Sequence, residues 1–237
     1  MIDKIPLEHI LFLDIETVPE QEQYEELDAE MQLLYEAKTA YQRKENTTAE
    51  DFYSHAGIWA EFGKIVCISV GYFVFKNDIR QFRTTSFFGK EPQLLKDFSA
   101  LLETHFSKPQ YVLCGHNAKE FDYPFLARRM IIHGLKIPSK LNLFGKKPWE
   151  IPHLDTLELW KFGDFKHYTS LKLLTKILGI PSPKDDIDGS QVAAVYYKDK
   201  DIDRIITYCE KDVVAVAQIV LRFKRQELLV ENELFSI

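Results

Sequence analysis

The chain has 237 residues, with 30 Lys and Arg against 36 Asp and Glu and a formal net charge of −6. Its 46% hydrophobic and 28% charged content excludes a disordered chain, and its overall charge carries no basic signature for nucleic acid. The longest apolar run, residues 65–75, is too short to cross a bilayer as a helix.

The N-terminal MIDKIPLEHI lacks the basic start and apolar core of a signal peptide, and the cysteine usage fits a reducing cytoplasm, the expected location. Cys67, Cys114 and Cys209 are widely spaced and form no Cys-x-x-Cys pair. Each lies in an apolar segment and reads as a buried free thiol. Charge is unevenly spread. Residues 1–60 hold fourteen acids against four Lys and Arg, whereas residues 119–184 hold twelve Lys and Arg against six acids. A chain acidic overall can thus present a basic face.

The first strong element is ILFLDIET, Ile10 to Thr17. Its unbroken apolar start predicts a strand buried on both faces, with Asp14 and Glu16 at the carboxyl end. Residues i and i+2 of a strand share a side, so the two carboxylates project together. Side by side they repel, and a hard divalent cation such as Mg²⁺ or Mn²⁺ is their natural partner. A strand end that turns polar as it meets solvent is the competing reading.

Residues 18–61 then form a long, acid-rich segment. Its apolar spacing predicts one or two amphipathic helices, with a start at Thr47 or Thr48. Lys64–Phe75 is a strand, Lys76-Asn77-Asp78 a turn, and Ile79–Phe88 the hairpin partner. Pro92 opens a helix with Leu94, Leu95, Phe98, Leu101 and Leu102 on one stripe. Tyr111–Cys114 is a short strand, followed by a turn and a helix over 121–133 that Gly134 ends. Residues 136–151 read as loop with Trp149 packed. Leu154–Thr156 starts a helix, Leu171–Leu178 is another, and 192–197 is a helical turn or two. A last helix runs from Ile202 to about Leu229. One mixed sheet with helices on its faces, in one domain over residues 1–237, is the expected architecture, and the 18–61 segment is an elaboration on it.

Three later places offer polar groups near a sheet edge. In GHNAKEFD, Asp122 falls at a helix start, where an acid is favoured electrostatically in any case. In HLDTLEL, Asp155 reads first as an N-cap with Glu158 three residues on, and stands only as a support behind the other acids. In ITYCEKDVV, Tyr208 and Asp212 sit at i and i+4 on one helix face, beside the apolar Cys209 and Val213.

Taken in order, Asp-x-Glu, Asn-x-x-x-Phe-Asp and Tyr-x-x-x-Asp resemble the tyrosine-bearing branch of the DEDD 3′–5′ exonucleases. The resemblance is to the proofreading exonuclease of family B DNA polymerases and stand-alone proteins related to it, over about residues 8–17 and 62–225. It implies an α/β ribonuclease H-like fold with a mixed five-stranded sheet. It implies Asp14, Glu16, Asp122 and Asp212 as ligands of two Mg²⁺ or Mn²⁺ ions, Asp14 bridging them, and Tyr208 as the catalytic tyrosine. It implies hydrolysis of single-stranded or frayed DNA from the 3′ end to nucleoside 5′-monophosphates. Thr17, Asn117, Phe121 and Lys184 are the substrate contacts to be tested. The same site acting on RNA, or a non-catalytic nucleic-acid-binding module on this fold, are the alternatives. A polymerase or repair complex in trans is the candidate partner, and no membrane is involved. The seven histidines show no His-x-x-x-His pair, and no P-loop glycine pattern occurs, which argues against a zinc hydrolase and a P-loop enzyme.

Overall fold

Strand β1 (Ile10–Pro19) lies inside a six-stranded sheet of order β5-β4-β1-β2-β3-β6. Its companions are β2 (Gly63–Lys76), β3 (Ile79–Phe88), β4 (Val112–Gly115), β5 (Leu154–Asp155) and β6 (Leu234–Ser236). The computed structural model describes residues 2–77, 79–164, 167–181 and 186–237. The β1–β2 and β2–β3 pairs are antiparallel, and β1–β4, β4–β5 and β3–β6 are parallel. The helices are α1 (Ala29–Thr39), α2 (Ala49–Phe52), α3 (Glu91–His105), α4 (Asp122–Ile132), α5 (Thr156–Lys161), α6 (Leu171–Ile177), α7 (Val192–Ala194) and α8 (Ile202–Phe223).

Both faces of β1 are covered, which is why its sequence does not alternate. Leu11, Leu13 and Ile15 join a core with Leu94, Phe98 and Leu102 of α3 and Phe125, Leu126 and Met130 of α4. Ile10 and Phe12 face Val213, Val216, Ala217 and Val220 of α8. The even-numbered side of β1, which carries Asp14 and Glu16, is therefore the side that α8 covers. Gly71 of β2 lets α8 approach. A β-carbon there would meet the Val213 side chain at 2.7 Å and the Phe82 ring at 2.4 Å.

The 18–61 segment is helical as expected. Thr48 caps α2 in a reciprocal capping box with Asp51. Leu27, Tyr35, Tyr53, Ala56 and Phe62 give the segment a small core of its own. It is tied to the sheet by a buried ion network. Arg129 of α4 donates from Nε to Glu91 Oε1 at 2.8 Å and from Nη1 to the Ala60 carbonyl at 2.9 Å. Its Nη2 reaches Glu91 Oε2 at 2.5 Å and Glu20 at 2.8 Å. Burial alone would raise the Glu91 carboxyl, but hydrogen bonds from Arg129, the Ile65 N–H and His133 outweigh it and hold Glu91 below its usual range.

Four expectations are corrected. Among the described residues the sheet has six strands rather than five. The addition is β6, three exposed residues too short for a readable pattern, seated on Phe82–Thr84 by the Arg80–Glu233 pair and by Ile237 N–H to the Thr84 carbonyl. Leu154–Asp155 is a two-residue strand before α5. Helix α8 stops at Phe223, because Arg225 takes a left-handed φ of 56°. Leu229 nonetheless stays buried, its backbone exchanging both hydrogen bonds with the Gln218 side chain. Trp149 is 76% exposed rather than packed, since its one-turn 3₁₀ helix (Pro148–Glu150) buries no residue. All three cysteines are free and buried, as expected.

Candidate active site

Asp14 and Glu16 lie in the middle of β1, not at its end. The strand continues to Pro19 because β2 pairs with it that far, through a bulge between Glu16 and Thr17. On the other side, β4 pairs only with Ile10–Phe12. Past Phe12 that edge of β1 is open. Asp122 closes it, its carboxylate accepting a hydrogen bond from the Ile15 N–H. The turn into α4 fits there because Gly115 has no side chain. A β-carbon at Gly115 would lie 2.5 Å from the Ala118 Cβ and 3.1 Å from the Leu13 carbonyl oxygen.

Helix α8 brings Cys209, Tyr208 and Asp212 to the same place. The Cys209 thiol donates to the Asp14 carbonyl and to Asp14 Oδ2, both at 3.4 Å. Carboxylate oxygens of Asp14 and Glu16 and the Cys209 sulfur all lie within 4.8 Å of one another. Burial, then repulsion from Glu16, Asp122 and Asp212, drives the Asp14 carboxyl well above the usual range. Burial, then Asp212, does the same to Glu16. Burial pushes Asp122 up to about 7, with Asp155 adding to the rise and the Ile15 N–H opposing it. Burial is also the first cause of the raised Tyr208 phenol, followed by the charge of Asp212, to which it is hydrogen-bonded. Four carboxyls thus lie in mutual electrostatic reach in a low-dielectric place. Such an oxygen-rich set is the kind that a hard divalent cation relieves.

The other sequence candidates divide. Asp155, 2% exposed, caps α5 through Leu157 N–H (2.9 Å) and Glu158 N–H (3.3 Å). It also accepts from Asn117 N–H and Lys119 N–H, both at 3.0 Å. One carboxylate therefore pins the turn that delivers Asp122. Asp155→Ala orphans four donors and is expected to cost about 2–4 kcal/mol of unfolding free energy in urea titration; an unchanged midpoint would deny it this role. Asn117 has a left-handed φ of 63° in that turn. Phe121 packs on Phe125, ring centroids 5.4 Å apart, at the margin of the core. The Thr17 hydroxyl is engaged by the Gly57 carbonyl at 2.8 Å. Lys184 lies outside the described residues.

A cleft of about 290 Å³ opens over Asp14, Tyr208 and Asp212, and part of its wall was not singled out from sequence. His116, Tyr168, Ser170 and Lys172 line it. His116 is bonded to the Thr156 hydroxyl and the Thr169 carbonyl, both at 2.9 Å, and so holds the 167–170 segment beside the site. Burial lowers its pKa, which keeps the ring neutral. The available signal was Ser170 as the N-cap of α6, which placed a helix start there without saying what it faced.

Among solved structures, the chain is similar to the family B DNA polymerase from the hyperthermophilic archaeon Pyrobaculum calidifontis. The TM-score is 0.51 at 15% identity, over 91% of this chain and 25% of the polymerase, so the likeness is one of fold. The chain spans about a quarter of that polymerase's length. No curated protein matched it in sequence. Residues 58–236 match the family described as predicted 3′–5′ exonuclease related to the exonuclease domain of PolB. With three quarters of its length in that match, and a mixed sheet of the same fold as a family B polymerase, the chain belongs to this family of 3′–5′ exonucleases related to the PolB exonuclease domain.

Proposed function

We propose that the protein is a divalent-metal-dependent 3′–5′ exonuclease that removes nucleoside 5′-monophosphates from single-stranded or frayed DNA. The observation that carries this reading is the set of four carboxyls, Asp14, Glu16, Asp122 and Asp212, in electrostatic reach of one another at a cleft that Asp14, Tyr208 and Asp212 line. The four carboxylates would hold Mg²⁺ or Mn²⁺, two ions per site. When bound, such ions make water more acidic and offset charge growing on the leaving 3′ oxygen.

The chain's own groups do the positioning. The Cys209 thiol fixes the Asp14 carboxylate, and the Ile15 N–H fixes that of Asp122. Tyr208, whose phenol is raised above its usual value of 10, stays protonated at neutral pH. It therefore acts as a hydrogen-bond donor and not as a base, holding water and phosphate in line. Tyr208→Phe is expected to lower kcat by about tenfold to a hundredfold with metal affinity unchanged, as judged by Mn²⁺ titration calorimetry beside single-turnover rates.

The direct test uses 5′-labelled DNA and RNA strands of one sequence with Mg²⁺ or Mn²⁺. A ladder shortening from the 3′ end with 5′-monophosphate release is expected, and faster on DNA. Internal cuts, or no shortening of either strand, would overturn the reading. Faster shortening of RNA would reassign the site as an exoribonuclease. A cytoplasmic location and a polymerase or repair complex acting in trans complete the reading.

A further inference from the structure

A second concavity, about 320 Å³, runs along the outer side of α4 between that helix and the 136–151 loop. Lys119, Arg128 and Lys146 line it, with Ile131, Leu143 and Phe144 supplying apolar wall. No Asp or Glu is among its described lining residues, although the whole chain has more acids than bases. Among the described residues, none of the three cations is in an ion pair. Phe144 is 73% exposed, and Trp149 stands out from the same loop beside the Lys147 ammonium, 5.3 Å from its ring.

The groove begins at the turn that delivers Asp122 to the active site. Lys119, at its upper end, belongs to the turn that Asp155 pins, three residues before Asp122. From Pro124 to Ile131 the helix rises about 10 Å, which matches about three phosphates of a stacked strand. Unpaired cations alternating with open aromatic and aliphatic surface suit a ligand with anionic links and flat apolar faces.

We propose that this groove binds the part of a single-stranded nucleic acid that lies 5′ of its last three nucleotides. Phosphates meet Lys119, Arg128 and Lys146, and a base stacks on Phe144. The proposal rests on the exonuclease reading for the location of the 3′ end. An acidic protein segment would also answer to the charge, but it would not explain the open aromatic rings beside the cations.

The test compares the full chain with an Arg128→Ala, Phe144→Ala, Lys146→Ala variant, whose melting temperature is checked first. In EDTA, where no hydrolysis occurs, fluorescence anisotropy with an oligodeoxythymidylate of about fifteen residues is expected to show at least tenfold weaker binding and a shallower salt dependence. With Mn²⁺, turnover of a trinucleotide is expected to stay within about twofold, since it ends before the groove. Unchanged oligomer binding, equal losses on both lengths, or displacement of the oligomer by an acidic peptide as effectively as by unlabelled DNA would overturn the proposal. Should the wild type bind with this length dependence yet hydrolyse nothing, the groove stands and the exonuclease reading falls. A single Arg128→Glu variant repeats the binding measurement if the triple variant unfolds.

Discussion

Asp14→Asn is expected to lower exonuclease turnover on the order of a thousandfold while leaving the protein folded and, without metal, more stable. The two effects have one cause. Asp14 is half-buried and faces the charges of Glu16, Asp122 and Asp212, so its own charge costs stability when no cation is present. An amide of the same shape removes that repulsion and keeps an acceptor for the Cys209 thiol. It also removes a charged oxygen from the place where metal would bind. Mn²⁺ at a hundred times its dissociation constant should stabilise the wild type by about 2.7 kcal/mol, and the variant by much less. Melting curves with and without Mn²⁺, beside shortening of an end-labelled strand, separate the outcomes. Equal stabilisation of both proteins by Mn²⁺ would take Asp14 out of the metal site. Chelation should silence the wild type, with activity returning when Mn²⁺ is added back.

The largest effect on stability is expected away from the site, at Arg129→Met. The guanidinium satisfies both oxygens of the buried Glu91 and also holds Glu20 and the Ala60 carbonyl. Removing one partner of a buried pair leaves an uncompensated charge, at a cost of about 3–5 kcal/mol. For a chain of this size that is roughly a 6–20 °C fall in Tm. The sign of the pH dependence follows from Glu91, whose carboxyl is lowered in the folded state below its usual 4.5. Its contribution is fully present above about pH 4.5 and is lost as pH falls through the folded value. The wild type should therefore lose stability in that acidic window, and the variant should lose less there, because its Glu91 no longer gains from Arg129. Urea midpoints between pH 3 and 7 measure both slopes. The double variant Arg129→Met, Glu91→Leu should recover part of the loss, since two apolar groups leave no charge stranded.

These two residues mark what could be read from the chain alone. ILFLDIET announced a strand buried on both faces because four apolar residues in succession exclude a solvent-facing side. The spacing of Asp14 and Glu16 put both on one side of it, since strand periodicity is 2. Helical periodicity put Tyr208 and Asp212 on one face of α8. These are local rules, and local rules survive folding. Pairings between distant segments are not written in any one of them. The open edge of β1, which lets Asp122 meet Ile15, exists because β4 pairs only with Ile10–Phe12 and the Gly115 turn can come close. Nothing local marks Arg129 as buried, and only the packing of α3, α4 and residue 60 encloses it. Asp155 read as a helix cap, which it is, yet its second pair of donors comes from a turn 36 and 38 residues earlier. Trp149 has the size and apolarity of a core residue and lies in solvent, in a one-turn 3₁₀ helix that buries none of its residues. β6 is too short to carry a period and forms only because the edge of β3 is there to receive it. The sequence alone determined which side chains share a face of an element; the tertiary structure decided which faces meet, because burial and hydrogen bonding are settled between segments far apart in the chain.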